Sequence, residues 1–213
     1  VSDEVNFPEF LWMWNHLQGS ETPTLHLTMA RWLGTRHGKA DTKLLLMAFR
    51  AAGKSTVLGL FCAWLLLRNP NVRILVLAAE FELACKMVRN IKRIIERHPL
   101  TMDLKPARLE QWASDQFTVN RSVVLRDPSV LARGIGANIT GSRAEVVICD
   151  DVEVPNTSDT PPKRADLRSR LSEIDYVLTP GGLQLFAGTP HSYYTIYAKS
   201  ARAEVDESVP FLS

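Results

Sequence analysis

The chain has 213 residues, 46% of them apolar and 23% charged, and a formal net charge of +2. That length holds one domain, or one domain and a small appendage, with a hydrophobic core of its own. The balance excludes a disordered chain, and the small net charge gives no bulk signal for nucleic acid, leaving only a local patch. The three cysteines, Cys62, Cys85 and Cys149, sit apart in apolar runs without metal or redox spacing, and read as buried thiols of a reducing compartment. No basic region precedes the first apolar residues, so no signal peptide is expected. The longest apolar run, 57–67, is too short to span a bilayer.

In chain order, residues 7–17 (FPEFLWMWNHL) predict an aromatic helix. Residues 22–33 open on Thr22-Pro23, a helix start, with Leu25, Met29 and Leu33 at helical spacing. Residues 44–47 read as an apolar strand, 48–53 as a tight loop, and Lys54, Ser55 and Thr56 open an apolar helix. After the turn signal Asn69-Pro70-Asn71, residues 73–79 form a second apolar strand. Strand, helix and strand make a βαβ unit and hence a parallel sheet. Residues 80–98 are a clear helix, with Ala84, Met87, Val88, Ile91, Ile94 and Ile95 on one face. Lys86, Arg89, Lys92, Arg93 and Arg97 fill its other face, read as solvated surface, and Pro99 ends it.

Residues 100–112 give no clear pattern. Residues 116–120 alternate and then meet 122–126, which predicts a hairpin. Residues 128–143, with Gly134, Gly136 and Gly141, read as a loop beside the site. The third core strand is 145–149, running into Asp150-Asp151-Val152-Glu153. A loop over 155–162, a helix over 163–176 and a turn at Pro180-Gly181-Gly182 follow. The fourth core strand, 183–187, ends in Gly188-Thr189-Pro190-His191, and a short helix comes next.

The stretch 44–67 has the order that phosphate binding requires. Backbone N–H groups of Ala48, Phe49, Arg50, Ala51, Ala52 and Gly53 would wrap a phosphate at the positive end of a helix. Lys54 would reach the β- and γ-phosphates, and Ser55 would complete a Mg²⁺ shell. The match to G-x-x-x-x-G-K-[ST] is imperfect, because Ala48 stands at the first glycine. An ordinary turn with a lysine at a helix start is the bland alternative. In open parallel sheets, ligands bind at the carboxyl ends of strands, so the ends of strands 44–47, 145–149 and 183–187 would face one crevice. There Asp150 suits Mg²⁺ through water. A second acid would polarise the attacking water. Asp151 is next in line, and Glu153 is its rival, because residues two apart in an extended chain point the same way. Thr189 would bond the water or the γ-phosphate and sense hydrolysis. Arg50 would stabilise the transferred phosphoryl in cis, while Arg143 or Arg133 would serve a neighbouring subunit. His26 lies near the place where helicase-like ATPases read adenine; otherwise it is a helix-surface histidine.

Taken together, Phe49-Arg50-Ala51-Ala52-Gly53-Lys54-Ser55, Thr140-Gly141-Ser142-Arg143-Ala144, Asp150-Asp151-Val152-Glu153 and Gly188-Thr189-Pro190 resemble the ATPase domain of the tailed-phage terminase large subunit. The resemblance runs from about 22 to 197. An arginine four before the lysine is typical of that family's phosphate loop, and the second and third motifs look like the branch found in short-tailed coliphages. The resemblance implies a three-layer α/β P-loop NTPase of the ASCE, RecA-like type with a central, mostly parallel sheet. It implies ATP and Mg²⁺ as ligands, and hydrolysis driving double-stranded DNA into a procapsid. The implied partners are the portal protein, the small terminase subunit and copies of the chain in a ring; the implied place is the cytoplasm of the infected bacterial host, with no membrane contact. By carry-over, Lys54 and Ser55 bind phosphate and Mg²⁺, Arg50 acts on the γ-phosphate, Asp150 is the Walker B aspartate, and Gly188-Thr189-Pro190 is the coupling motif. Ala48 for glycine and Asp151 for the usual catalytic glutamate are departures from the pattern.

The family's RNase H-like nuclease domain has no room before Ser213. The expectation is therefore a single ATPase domain over 1–213, with a helical segment 1–40 packed on it, monomeric and slow in isolation and without DNA cleavage. Two rivals stay open. A helicase-like translocase would need a second RecA-like lobe. A nucleotide-gated assembly module with little turnover has the acid pair against it.

Overall fold

The computed structural model describes residues 5–107, 112–190 and 193–198. Asn6 caps helix α1 (Phe7–Leu17): its side chain accepts from Glu9 N at 3.0 Å, and the Glu9 carboxylate accepts from Asn6 N at 3.2 Å. Pro23 precedes α2 (Thr24–Gly38). Strand β1 (Lys43–Met47) leads through loop 48–53 into α3 (Lys54–Arg68), which is buried on nearly all sides. The α1 helix packs on α3 through Phe7, 5.1 Å from the Phe61 ring and 5.6 Å from Trp64.

Strand β2 (Ile74–Ala78) is buried throughout, as a strand covered on both faces must be. Helix α4 (Phe81–Arg97) buries the six apolar residues that its periodicity selects. A 3₁₀ turn (Met102–Leu104), β3 (Gln116–Phe117), β4 (Val130–Gly134) and β5 (Ala144–Asp150) follow. Then come α5 (Pro155–Ser158), α6 (Pro161–Ser172), α7 (Ile174–Val177) and β6 (Leu178–Gly188).

The six-stranded sheet has the order β1-β6-β5-β2-β4-β3. Every pairing is parallel except the antiparallel one between β3 and β4. Side-chain alternation divides the core between two faces. Ile74, Val76 and Ile148 join the cluster under α1 to α4. Leu75, Leu77, Val147 and Cys149 join Leu167, Ile174 and Val177 of α6 and α7. The result is a three-layer α/β architecture with a mostly parallel sheet, as the sequence predicts. Register places Met47 beside Gly188 and Asp150 beside Ala187, so β1, β6 and β5 end together at one edge.

Several local expectations change. Residues 122–126 form no strand, and β3 pairs with Val130 and Leu131 instead. Val124 is 99% exposed, so this apolar pair has nothing to pack against, and Arg121 holds the loop by donating to the carbonyls of Leu125 and Asp127. The stretch read as a loop over 128–143 contains β4, whose run is too short for periodicity to reveal. Pro180-Gly181-Gly182 lies inside β6, where Gly181 takes φ 77° and the register shifts against β5, a bulge in place of a turn. The helix over 163–176 is two helices, and α5 occupies part of the loop 155–162. His191 lies outside the described residues, and 193–198 form turns where a short helix was expected. All three cysteines are buried and free. Among the described residues, no helix is long and apolar enough to cross a membrane.

Candidate active site

Loop 48–53 turns from β1 into α3 through left-handed residues: Ala51 at φ 61° and Gly53 at φ 76°. A non-glycine residue in that region costs about 1–2 kcal/mol. Ala48 is not among the residues of positive φ, so the glycine missing from that position is not required by backbone conformation. Gly53 is required twice. Besides its φ, any Cβ there would strike the imidazole of His26. That ring comes from α2 and sits on the loop, with Nε2 3.1 Å from the Ala52 carbonyl oxygen. Phe49 is 66% exposed at the loop's tip, and Arg50 beside it is exposed too.

Lys54 is buried at the start of α3. Its ammonium donates to the carbonyls of Ala48 (3.1 Å) and Phe49 (3.3 Å) and to Thr189 Oγ1 (3.1 Å) at the end of β6. Thr189 in turn donates to the Ala48 carbonyl at 2.9 Å. One residue on, Ser55 Oγ donates to Asp150 Oδ2 at 2.8 Å, joining α3 to the end of β5. The other carboxylate oxygen, Asp150 Oδ1, is buried without a hydrogen-bond partner among the described residues. Burial pushes the Asp150 carboxyl up to about 6, with the Asp151 charge adding to it, against the Ser55 hydrogen bond and the Lys54 charge.

Asp151 takes φ 45°, and its N–H donates to the Ala187 carbonyl at 2.9 Å. With Ser55, Thr56, Lys86 and Asp150 it lines a cavity of about 320 Å³ between α3 and α4. Glu153 does not line that cavity. It is 1% exposed, and its Oε2 accepts from Thr195 Oγ1 at 2.8 Å and from Ile196 N at 2.6 Å. The left-handed turn at Asp151 breaks the alternation that would have aimed both acids the same way.

The arginines are dispersed. Arg50 forms no hydrogen bond or ion pair with the described residues. Arg143 donates to the Tyr176 carbonyl at 3.0 Å, just before β5 begins. A strand of seven residues separates it by ~23 Å from Asp150. Arg133 lies in β4 beside Leu77 and donates to the Ala132 carbonyl. The structure thus brings together loop 48–53, Lys54, Ser55, Thr56, His26, Thr189, Asp150 and Asp151. It leaves Arg143 at the far end of the sheet, and Glu153 behind the acid turn. Thr195 and Ile196 escaped sequence reasoning, because nothing local marks them as partners of Glu153.

An oxygen donor set of one carboxylate and one hydroxyl, with the rest from water and phosphate, suits Mg²⁺. The orphaned Asp150 Oδ1 fits that demand. Among the described residues, no group of three or more His, Cys, Asp or Glu gathers to hold a metal by protein ligands alone.

One strand, β6, separates the loop strand β1 from the acid strand β5, and the three carboxyl ends lie side by side. That sheet defines a RecA-like α/β domain. Over most of its length the chain is similar to a terminase large subunit. It is 33% identical to the terminase large subunit of Enterobacteria phage T3 over 195 residues, which cover 90% of this chain and 33% of that protein. The chain therefore spans about a third of the length of the curated relative it matches. Among solved structures it is similar to a mutant of the large terminase ATPase domain of Thermus phage P74-26, with TM-score 0.47, 16% identity, and coverage of 92% of this chain and 77% of that one. A second structure of that domain gives TM-score 0.45 and 16% identity, covering 82% of this chain and 67% of that one. No family profile matches the chain.

Proposed function

We propose that this chain hydrolyses ATP with Mg²⁺ to power the packaging of double-stranded viral DNA into a procapsid. The observation that carries the reading is the Ser55–Asp150 contact with its orphaned Oδ1, which ties a loop–helix phosphate cradle to a carboxylate poised for a metal. Kinship with the T3 subunit supports the motor role.

In this reading the N–H groups of Ala48 to Gly53 and the start of α3 hold the phosphates. Lys54 exchanges its carbonyl partners for phosphate oxygens, and Thr56 lines the approach. Ser55 and Asp150 would hold Mg²⁺, which supplies charge neutralisation for the transferred phosphoryl. Asp151, facing the cavity, accepts a proton from the water whose oxygen attacks the γ-phosphorus as the bond to the leaving ADP oxygen breaks. Arg50 stabilises the phosphoryl in cis. Arg143, remote from its own crevice, would act only on a neighbouring copy in a ring, and Arg133 is the alternative. His26 braces the loop next to an adenine. The partners in this reading are DNA, portal, procapsid and small subunit, and the place is the host cytoplasm.

Steady-state ATP turnover at rising protein concentration tests the proposal, with Asp151→Asn alongside. We expect turnover per subunit to climb with concentration and to fall by at least ~100-fold in Asp151→Asn. A variant with wild-type turnover would remove Asp151 as the base. A wild-type chain that neither binds nor hydrolyses ATP would remove the reading.

A further inference from the structure

After β6 the chain returns beneath the acid turn and is held there from three sides. Glu153 Oε2 accepts from both Thr195 Oγ1 and Ile196 N, at 2.8 and 2.6 Å. From α6, the Arg164 guanidinium lies 5.4 Å over the Tyr194 ring, and Arg168 Nη2 donates to the Tyr194 carbonyl at 3.2 Å. Tyr197 folds its buried ring onto Gly188, where any Cβ would strike the phenol. The phenol oxygen has no hydrogen-bond partner among the described residues. Gly188 is thus a glycine for packing, since its φ is not left-handed.

These contacts form a closed circuit with the crevice. Lys54 bonds Thr189, which follows Gly188, and Asp151 N bonds the Ala187 carbonyl just before it. A phosphate that draws the Lys54 ammonium from Thr189 changes the end of β6. Gly188 packs under Tyr197, so the change reaches a segment that Glu153 ties back to the acid turn. Buried, hydrogen-bonded groups of this kind resist intermediate positions and favour discrete arrangements.

We infer that Glu153 is a positioning residue and no proton acceptor: through Thr195 and Ile196 it latches segment 193–198 to the acid turn, so that nucleotide at Lys54 and Thr189 sets how firmly that segment is held. The inference rests on the ATP-binding reading above.

The test combines ATP turnover with amide hydrogen exchange over 193–198 in wild type, Glu153→Gln, Glu153→Ala and Thr195→Val. Glutamine's Oε1 can accept both hydrogen bonds but cannot serve as a base. Glu153→Gln should therefore keep kcat within about threefold of wild type, while Glu153→Ala and Thr195→Val lose ~10-fold or more in kcat with KM little changed. In those two variants the Ile196 amide should exchange faster, and the change in exchange that ATP induces in wild type should vanish. Loss of turnover in Glu153→Gln as deep as in Asp151→Asn would make Glu153 the base and overturn the latch. Exchange over 193–198 that ignores ATP in a wild type that hydrolyses it would overturn the coupling. A wild type without ATP binding or turnover fails the ATPase reading instead. The latch is then judged by exchange alone: the Ile196 amide must quicken in Glu153→Ala and stay as in wild type in Glu153→Gln.

Discussion

Where β2 and β5 begin, Arg73 gives Nη2 to Glu145 Oε1 at 2.5 Å, Nε and its own backbone N–H to Glu145 Oε2, and lies 3.6 Å from Asp127 through Nη1. Where β5 ends, Asp150 has one oxygen on Ser55 and one on nothing among the described residues, while Lys54 rests on loop carbonyls. Both ends of the sheet carry partly buried charge, but Arg73, Asp127 and Glu145 pair with one another, while Asp150 keeps an oxygen without a partner among the described residues. The charges that begin the strands brace the fold. In the proposed reading, those that end them are left for a ligand to complete, beside backbone held at positive φ in Ala51 and Asp151.

Titration separates the two ends by sign. Burial opposes ionisation of Glu145, but the hydrogen bonds and charge of Arg73 hold its carboxyl below the ordinary value. That group stabilises the fold at neutral pH, and the stabilisation is lost as pH falls through its lowered value. Asp150 is raised to about 6. Between about pH 4 and 6 the folded chain keeps a proton that the unfolded chain has released, so this group favours folding as pH falls. At neutral pH without metal it is a cost.

The comparison breaks most sharply at Lys54. Lys54→Ala should lower ATP turnover by ~100–1000-fold while the urea midpoint moves little. A large loss of stability with turnover per folded molecule intact would place Lys54 among the bracing charges. Arg73→Ala should do the reverse. Leaving two carboxylates unpaired at a partly exposed site should cost about 2–3 kcal/mol in urea unfolding, with turnover per folded molecule unchanged. Gly53→Ala should cost about 1–2 kcal/mol for the left-handed backbone and raise KM for ATP by displacing His26 from the loop. On stability, Asp150→Asn should act in the opposite direction, and modestly. Without metal at pH 7 it should raise the Tm by ~2–4 °C, flatten the stability slope between about pH 4 and 6, and abolish the gain from Mg²⁺. In the wild type, Mg²⁺ binding should weaken below about pH 6, because the ligand must be ionised.

The elements at 7–17, 44–47, 73–79, 80–98 and 145–149 were legible because their signals are local: a cap, a periodic apolar face, or a buried run between breakers. The loop that ends in Gly53 and Lys54 was legible for the same reason, as order along the chain is itself the signal of a strand–loop–helix cradle. The partners of β3, and β4 itself, were not, because strand pairing is a long-range choice among short segments of similar composition.

The acids show the same boundary within four residues. Sequence placed Asp150 at a strand end, and could only count by twos to compare Asp151 with Glu153. The φ of 45° at Asp151, with its N–H on Ala187, turns the chain out of the extended state in which counting by twos holds. Asp151 then faces the cavity and Glu153 faces Thr195 and Ile196. Likewise, Arg143 stands near Asp150 in sequence, but a strand's length keeps it at the opposite edge. Local chemistry determined which residues are candidates to bind phosphate and metal. Which acid faces the cavity was decided by tertiary contacts: Asp151 N on the Ala187 carbonyl, and Glu153 on Thr195 and Ile196.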